Sequence, residues 1–211
     1  MEVGILLKKL LLVVIIALAA FVIYKGPSGV IGLLFMSHSA KPAAVEQTDI
    51  LGQPVGKNGQ KVLVAYFSWG GNTRKVAAKI HGLTGGDLYE IRTAEPYPAD
   101  YKPAVEIAKK ELEQNLRPQL GGTLPDLTQY DVIILGYPIW WGIEPMAVKT
   151  FVESADLSGK TILPFATSGG SGMEESVADL RKTLPNADVK DGLLANISSK
   201  IEPWLKSNGM L

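Results

Sequence analysis

The order of apolar and polar positions divides this chain into three stretches. Leu10 to Tyr24 is an unbroken apolar run of 15 residues behind Lys8 and Lys9, a length between a signal-peptide core and a bilayer span of roughly 20 residues. The stems of Lys8 and Lys25 can snorkel to the interfaces, and Val30 to Met36 is again apolar beyond Gly26-Pro27-Ser28-Gly29. Residues 1–36 are therefore expected to form an N-terminal hydrophobic helix, a signal-anchor crossing the membrane through residues 5–25. The alternative is a cleaved signal peptide, with small residues near a cut at Ala17-Leu18-Ala19 or Ser37-His38-Ser39-Ala40. Either way the protein is expected to be membrane-anchored or exported, and Lys8 and Lys9 before the run against Lys25 after it predict an extracytoplasmic globular domain. Residues 37–60 are polar, punctuated by Pro, Gly and Asn, and predict a flexible tether with a short hairpin around Lys57-Asn58-Gly59.

From residue 61 onward the pattern changes to short apolar runs alternating with helical periods. Lys61 to Phe67, Asp131 to Tyr137 and Thr161 to Thr167 are nearly continuous in apolar residues, as strands covered on both faces require. Asp87 to Arg92 and Val189 to Leu194 are weaker strands, the second interrupted by Asp191 and Gly192. Helical spacing marks Thr73 to Leu83, Tyr101 to Leu116, Pro145 to Ala155, Met173 to Leu184 and Ser199 to Ser207. Strands alternating with helices predict an α/β fold for 61–211, a doubly wound five-stranded parallel sheet with helices on both faces.

Composition narrows the chemistry. The chain has no cysteine and two histidines, His38 and His81, which excludes disulfides, iron-sulfur clusters, a cysteine zinc site and a thiol nucleophile and leaves little metal capacity, so no metal is expected. Residues 61–211 carry 16 Lys/Arg against 18 Asp/Glu, a net charge of −2. Such a surface has no field to hold polyanions, so no nucleic-acid partner is expected.

In a doubly wound sheet, ligands sit beyond the carboxyl ends of the strands. Three loops occupy that position. Ser68-Trp69-Gly70-Gly71-Asn72-Thr73 leads into a helix and combines hydroxyls, glycines and a positive helix end, the makings of a phosphate cradle. Neither Gly-Lys-Ser/Thr nor Gly-x-Gly-x-x-Gly is present. Pro138-Ile139-Trp140-Trp141-Gly142 places two adjacent indoles at a strand end, where at least one is free to cover a flat ligand. Thr167-Ser168-Gly169-Gly170-Ser171-Gly172 offers backbone donors unobstructed by side chains.

These residues resemble the flavodoxin-like family over essentially all of 61–211. Its phosphate loop, two hydrophobic residues, an aromatic, x, Ser/Thr, x, x, Gly, x, Thr, then Ala and an aliphatic, is met by Val64, Tyr66, Ser68, Gly71, Thr73, Ala77 and Ile80, with Ala65 smaller than usual. The resemblance implies FMN as cofactor. It implies that Ser68, Trp69, Gly70, Gly71, Asn72 and Thr73 hold the ribityl phosphate, and that Pro138, Ile139, Trp140, Trp141 and Gly142 flank the isoalloxazine ring. Thr167, Ser168, Gly169, Gly170 and Gly172 would meet its pyrimidine edge. Departures are Gly70 in place of a hydroxyl residue, no stacking tyrosine in the third loop, and a nearly neutral surface.

The expected function is electron transfer at the membrane surface between redox partner proteins. The alternatives are an FMN-dependent NAD(P)H:quinone-type oxidoreductase acting on small quinone-like acceptors and, more weakly, a flavin-free interaction module. No catalytic side chain is expected. Elsewhere, Asp100 is read as a helix N-cap with Tyr97 or Tyr101 packing near the sheet, a rim contact to substrate being the alternative for this segment, His81 as a helix-surface residue, and Lys109, Lys110, Glu111 and Glu113 as a solvated face.

Overall fold

The structure is a computed structural model, and it describes residues 49–52 and 55–211. The anchor or signal segment and most of the tether lie outside the described residues. Among the described residues no helix is long and apolar enough to cross a membrane.

Six strands form the sheet: β1 (Val62–Tyr66), β2 (Asp87–Glu90), β3 (Val132–Pro138), β4 (Thr161–Thr167), β5 (Asp188–Val189) and β6 (Leu193–Leu194). The order is β2-β1-β3-β4-β5, with β6 also on β4, and every pairing is parallel. One row across the sheet reads Leu88, Val64, Ile134, Leu163. The chain passes from β1 to β2 on one side and continues to β3 on the other, so the loops after β1 and β3 diverge and leave a crevice.

Helices α1 (Asn72–Thr84), α2 (Tyr101–Glu113), α3 (Met146–Val152), α4 (Glu174–Thr183) and α5 (Ile201–Ser207) connect and follow the strands. Alternation along each strand sends residues to opposite faces. Val62, Val64, Tyr66, Ile134 and Phe165 pack with Ala77 and Ile80 of α1 and Ile201 and Leu205 of α5. Leu63, Ala65, Ile133, Leu135 and Ile162 pack on the other face with Val148 and Phe151 of α3 and Val177 and Leu180 of α4. Burial on both faces is what made β1, β3 and β4 read as unbroken apolar runs.

The weak fifth strand is two short pieces. Residues Thr161 and Ile162 of β4 pair with Asp188 and Val189, whereas Phe165 and Ala166 pair with Leu193 and Leu194, one residue further along. Lys190 donates to Ile162 O and Ala195 to Ala166 O, so even-numbered β4 residues present their backbone to this side. Pro164, between them, has no N–H to offer, and the extra residue falls opposite it.

Part of the stretch read as tether is paired to the domain. Ile50 exchanges backbone hydrogen bonds with Leu88 of β2 (2.9 and 2.8 Å), and Asp49 accepts from Glu90 N (2.9 Å) and Arg92. A tight turn at Lys57-Asn58 is closed by Gly56 and Gln60, with Val55 bridging Lys61.

Candidate functional site

Ser68, at the end of β1, organises the first loop. Its Oγ accepts from Gly71 N (3.1 Å) and Arg74 N (3.2 Å), capping α1 from upstream of Gly71, which sits in the left-handed region at φ 84°. Among the described residues no acceptor is found for the N–H groups of Gly70, Asn72 and Thr73, which leaves a helix end furnished with donors and partial positive charge. Thr73 is buried, and its hydroxyl meets that of Thr167 at 2.9 Å, tying the first loop to the third. Arg74 is turned to Glu90 (2.6 Å), and Lys75 and Lys79 line the cavity beside Asn72. The loop's own unengaged donors are uncharged backbone N–H groups. Ser68→Ala removes the cap and is expected to cost about 1 kcal/mol of stability, lowering the melting temperature by a few degrees; an unchanged melting curve would contradict the capping role.

The second loop separates its two tryptophans. Trp140 packs edge-to-face on Phe67 (5.4 Å) and Tyr97 (5.1 Å), a half-buried aromatic cluster below the crevice. Trp141 is 51% exposed, with Lys109 Nζ 5.6 Å from its ring centre. Trp140 N donates to Ile143 O (2.9 Å) and Ile143 N to Trp140 O (3.2 Å), closing a turn whose central residues, Trp141 (φ 54°) and Gly142 (φ 92°), both have positive φ. That is a type I′ turn, a geometry for Gly, Asn and Asp in which a bulky residue is strained. Sequence treated the two indoles as equivalent; the turn packs one against Phe67 and Tyr97 at the cavity wall and leaves the other a free surface.

In the third loop, Ser168 Oγ accepts from Gly170 N (3.1 Å) and Ser171 N (2.8 Å), so two of the expected backbone donors are already engaged. Asn196, just past β6, clamps Ser168 from both sides, accepting from its N–H (3.0 Å) and donating to its carbonyl (2.7 Å).

These loops open into one cavity of about 970 Å³. Of the residues singled out in the sequence, Trp69, Asn72, Pro138, Ile139, Trp140, Trp141, Gly142, Thr167, Ser168 and Gly169 line it. Ser68, Gly70, Gly71, Thr73, Gly170 and Gly172 lie in the same loops and shape them without lining the wall. Sequence reasoning missed Asn196, hidden after the weakest strand, and that Ala104, Val105 and Ala108 form one cavity face with Tyr101, for which only a rim contact was weighed. The spacing of those four positions was a visible signal for one helix face, but it gave no indication that the face borders a cavity.

The segment before α2 supports the site from outside. Trp69 Nε1 donates to Pro98 O (2.8 Å), and Tyr97 OH donates to Glu111 (2.6 Å). Glu111 is buried, contrary to the expected solvated face, and burial raises its pKa; burial and Glu111 together raise that of Tyr97 strongly. Asp100 stands at the N-cap position of α2 without a side-chain hydrogen bond there, and Tyr101 is 71% exposed at the cavity rim. His81 is half-buried, its Nδ1 2.7 Å from Gly86 O.

A family model described as flavodoxin matches residues 61–208. The chain belongs to the flavodoxin family. Its fold is shared with a protein from Bacteroides eggerthii provisionally described as a flavoprotein, 38% identical, covering 70% of this chain and 97% of that one with a TM-score of 0.63. A flavoprotein from Lactobacillus acidophilus, crystallised in complex with FMN, is 26% identical over 69% of this chain and 98% of its own, with a TM-score of 0.61. Among curated proteins none matches the chain.

Proposed function

We propose that this flavodoxin-family protein binds FMN and serves as an electron carrier, held at the outer surface of a membrane by its apolar leader. The observation that carries the cofactor is the convergence of three sequence-distant strand-end loops on one cavity, beside a helix N-terminus furnished with unengaged N–H groups. A phosphate suits that helix end, and the exposed face of Trp141 suits a flat ring. The FMN bound by the Lactobacillus acidophilus relative supports the same reading.

Bound FMN supplies the redox chemistry. The chain holds and surrounds it. The N–H groups of Gly70, Asn72 and Thr73 would hold the phosphate, with the Ser68 hydroxyl free to donate to it while its Oγ keeps Gly71 and Arg74 in place, and Trp69 is tied to Pro98 beside them. Pro138 to Gly142 flank the ring, and Thr167 to Gly172, braced by Asn196, take its polar edge. Asp49, Glu90, Arg74 and Arg92 neutralise one another beside the first loop, so phosphate affinity draws on oriented dipoles and on Lys75 and Lys79, which line the cavity.

One observation favours a second reading. The cavity continues along α2 past the three loops, to Tyr101, Ala104, Val105 and Ala108. An apolar extension of this kind suits a small quinone-like acceptor binding directly, with NAD(P)H as hydride donor.

The purified full-length protein, mixed with FMN and gel-filtered, is expected to carry flavin absorbance in its own peak. Absence of flavin at micromolar protein overturns the cofactor assignment and leaves an interaction module. Anaerobic NADH or NADPH then separates the readings: bleaching of the flavin without an added reductase favours the oxidoreductase, whereas reduction by dithionite alone favours the carrier.

A further inference from the structure

Behind the 140–143 turn lies a buried polar cluster that cofactor binding does not use. Glu144 is 1% exposed; its Oε2 accepts from Ser176 Oγ (2.8 Å), and its Oε1 has no hydrogen-bond partner among the described residues. Ser176 Oγ also lies 2.8 Å from Tyr137 OH at the end of β3. The single hydroxyl proton of Ser176 cannot serve both neighbours, so a proton must enter from Tyr137 or from Glu144 itself.

Asp179, one turn along α4 from Ser176, acts electrostatically on Glu144 and forms an ion pair with Lys149 of α3. Two carboxyls thus share one directly paired cation. Around them, Arg117 is engaged with Glu153, just past α3, and acts on Glu144 only at longer range, and Glu175 Oε2 fills the space where Gly142 would carry a β-carbon. Burial first, and the neighbouring Asp179 carboxylate with it, push Glu144 up to about 7.

We propose that Glu144 is a proton-operated brace for the 140–143 turn: protonated, it holds the cofactor loop in its gripping form, and ionised, it releases it. The inference rests on FMN binding at this loop. Only Ile143 separates Glu144 from Gly142, and Ile143 is bonded back to Trp140 in both directions. Movement of the Glu144 carboxyl is therefore transmitted to the turn. Ionisation leaves a buried charge with no cation of its own, a cost relieved by water entry or by the side chain swinging out. Trp141 at φ 54° persists only while its surroundings enforce it, so loosening Glu144 frees the turn to relax. Protonation, and hence tight binding, belongs to the acid side; affinity declines as pH rises through neutrality.

The test is the dissociation constant of FMN between about pH 6 and about pH 8.5 for the full-length wild-type protein and Glu144→Gln. Wild-type affinity is expected to fall about tenfold or more, the order expected when a site's protonation is lost over a unit or more, while the Gln variant retains its acid-side affinity throughout. The phosphate's own ionisation near pH 6 affects both proteins alike and cancels in the comparison. A readout free of cofactor accompanies it: the Glu144 carboxyl ¹³C shift of the protein without FMN titrates near neutrality, and Trp141 fluorescence moves with it. Should the Gln variant fail to fold, Asp179→Asn leaves Glu144 alone with Lys149 and shifts the midpoint of the affinity profile to lower pH. Matching pH profiles in wild type and Glu144→Gln, or an unmoved midpoint in Asp179→Asn, overturn the brace while leaving the cofactor assignment intact. Failure to bind FMN at any pH overturns both.

Discussion

Gly136→Ala is expected to destabilise the domain by about 2–3 kcal/mol, within the range for over-packing a filled core. Gly136 lies on β3 directly opposite Phe165 of β4, and a β-carbon there would sit 2.1 Å from Cζ of Phe165 and 2.6 Å from both Cε atoms. The benzene ring occupies the space an alanine methyl needs. It has nowhere to retreat, because Phe165 is fully buried among Tyr66, Ile134, Leu163, Ile201 and Leu205, in an interior packed as densely as an organic crystal. The strand must then bend away or the ring must leave its rotamer. In a domain of this size the loss corresponds to a fall in melting temperature of roughly 5–10 °C. Phe165→Leu added to Gly136→Ala is expected to recover part of it, since contacting sites couple. A melting temperature within a degree of wild type for the single variant would show that the ring is not confined.

How much of this was legible in the sequence follows from where each fact is encoded. Strands β1, β3 and β4 announce themselves because a strand covered on both faces needs apolar side chains at every position, a local property. The fifth strand is weak in sequence for a reason lying elsewhere, in the missing N–H of Pro164 on its neighbour. The three loops could be collected on one side because a parallel sheet sends all its strand ends the same way. What each loop does internally was not legible. Ser168 spends its hydroxyl on Gly170 and Ser171, and Asn196 reaches it only because β6 returns beside β4. Nothing in the sequence singles out Glu144; its burial follows from Ser176 and Asp179 being brought to it on α4. Glu111 reads as part of a charged helix face until Tyr97, pulled beneath the crevice with Phe67 and Trp140, donates to it. Apart from the local bonds of Ser168, each of these depends on a contact between residues separated along the chain, which neither period nor composition records.

The largest functional effect is expected from Trp141→Gly, with FMN affinity falling roughly ten- to hundredfold while stability stays within about 1 kcal/mol of wild type. Stacking of a flat ring on an exposed aromatic side chain is worth about 1–3 kcal/mol, and each 1.4 kcal/mol is tenfold in affinity. The stability side is a near-balance of opposed terms. Releasing a bulky residue from φ 54° returns about 1–2 kcal/mol. Against it stand about 0.4–1 kcal/mol of extra chain entropy for glycine and the loss of the exposed Lys109 contact, about 0.5–1 kcal/mol. Trp140→Ala should behave oppositely in kind, costing a few kcal/mol because it empties the cluster with Phe67 and Tyr97. Isothermal titration with FMN beside thermal melts of the two variants makes the comparison. If Trp141→Gly binds FMN as tightly as wild type, the exposed indole does not cover the ring, and its strained backbone serves something other than cofactor binding. If affinity falls with stability unmoved, the strain at Trp141 is the cost of holding an aromatic face in the open at the mouth of the cavity, where a relaxed extended residue would have turned it aside.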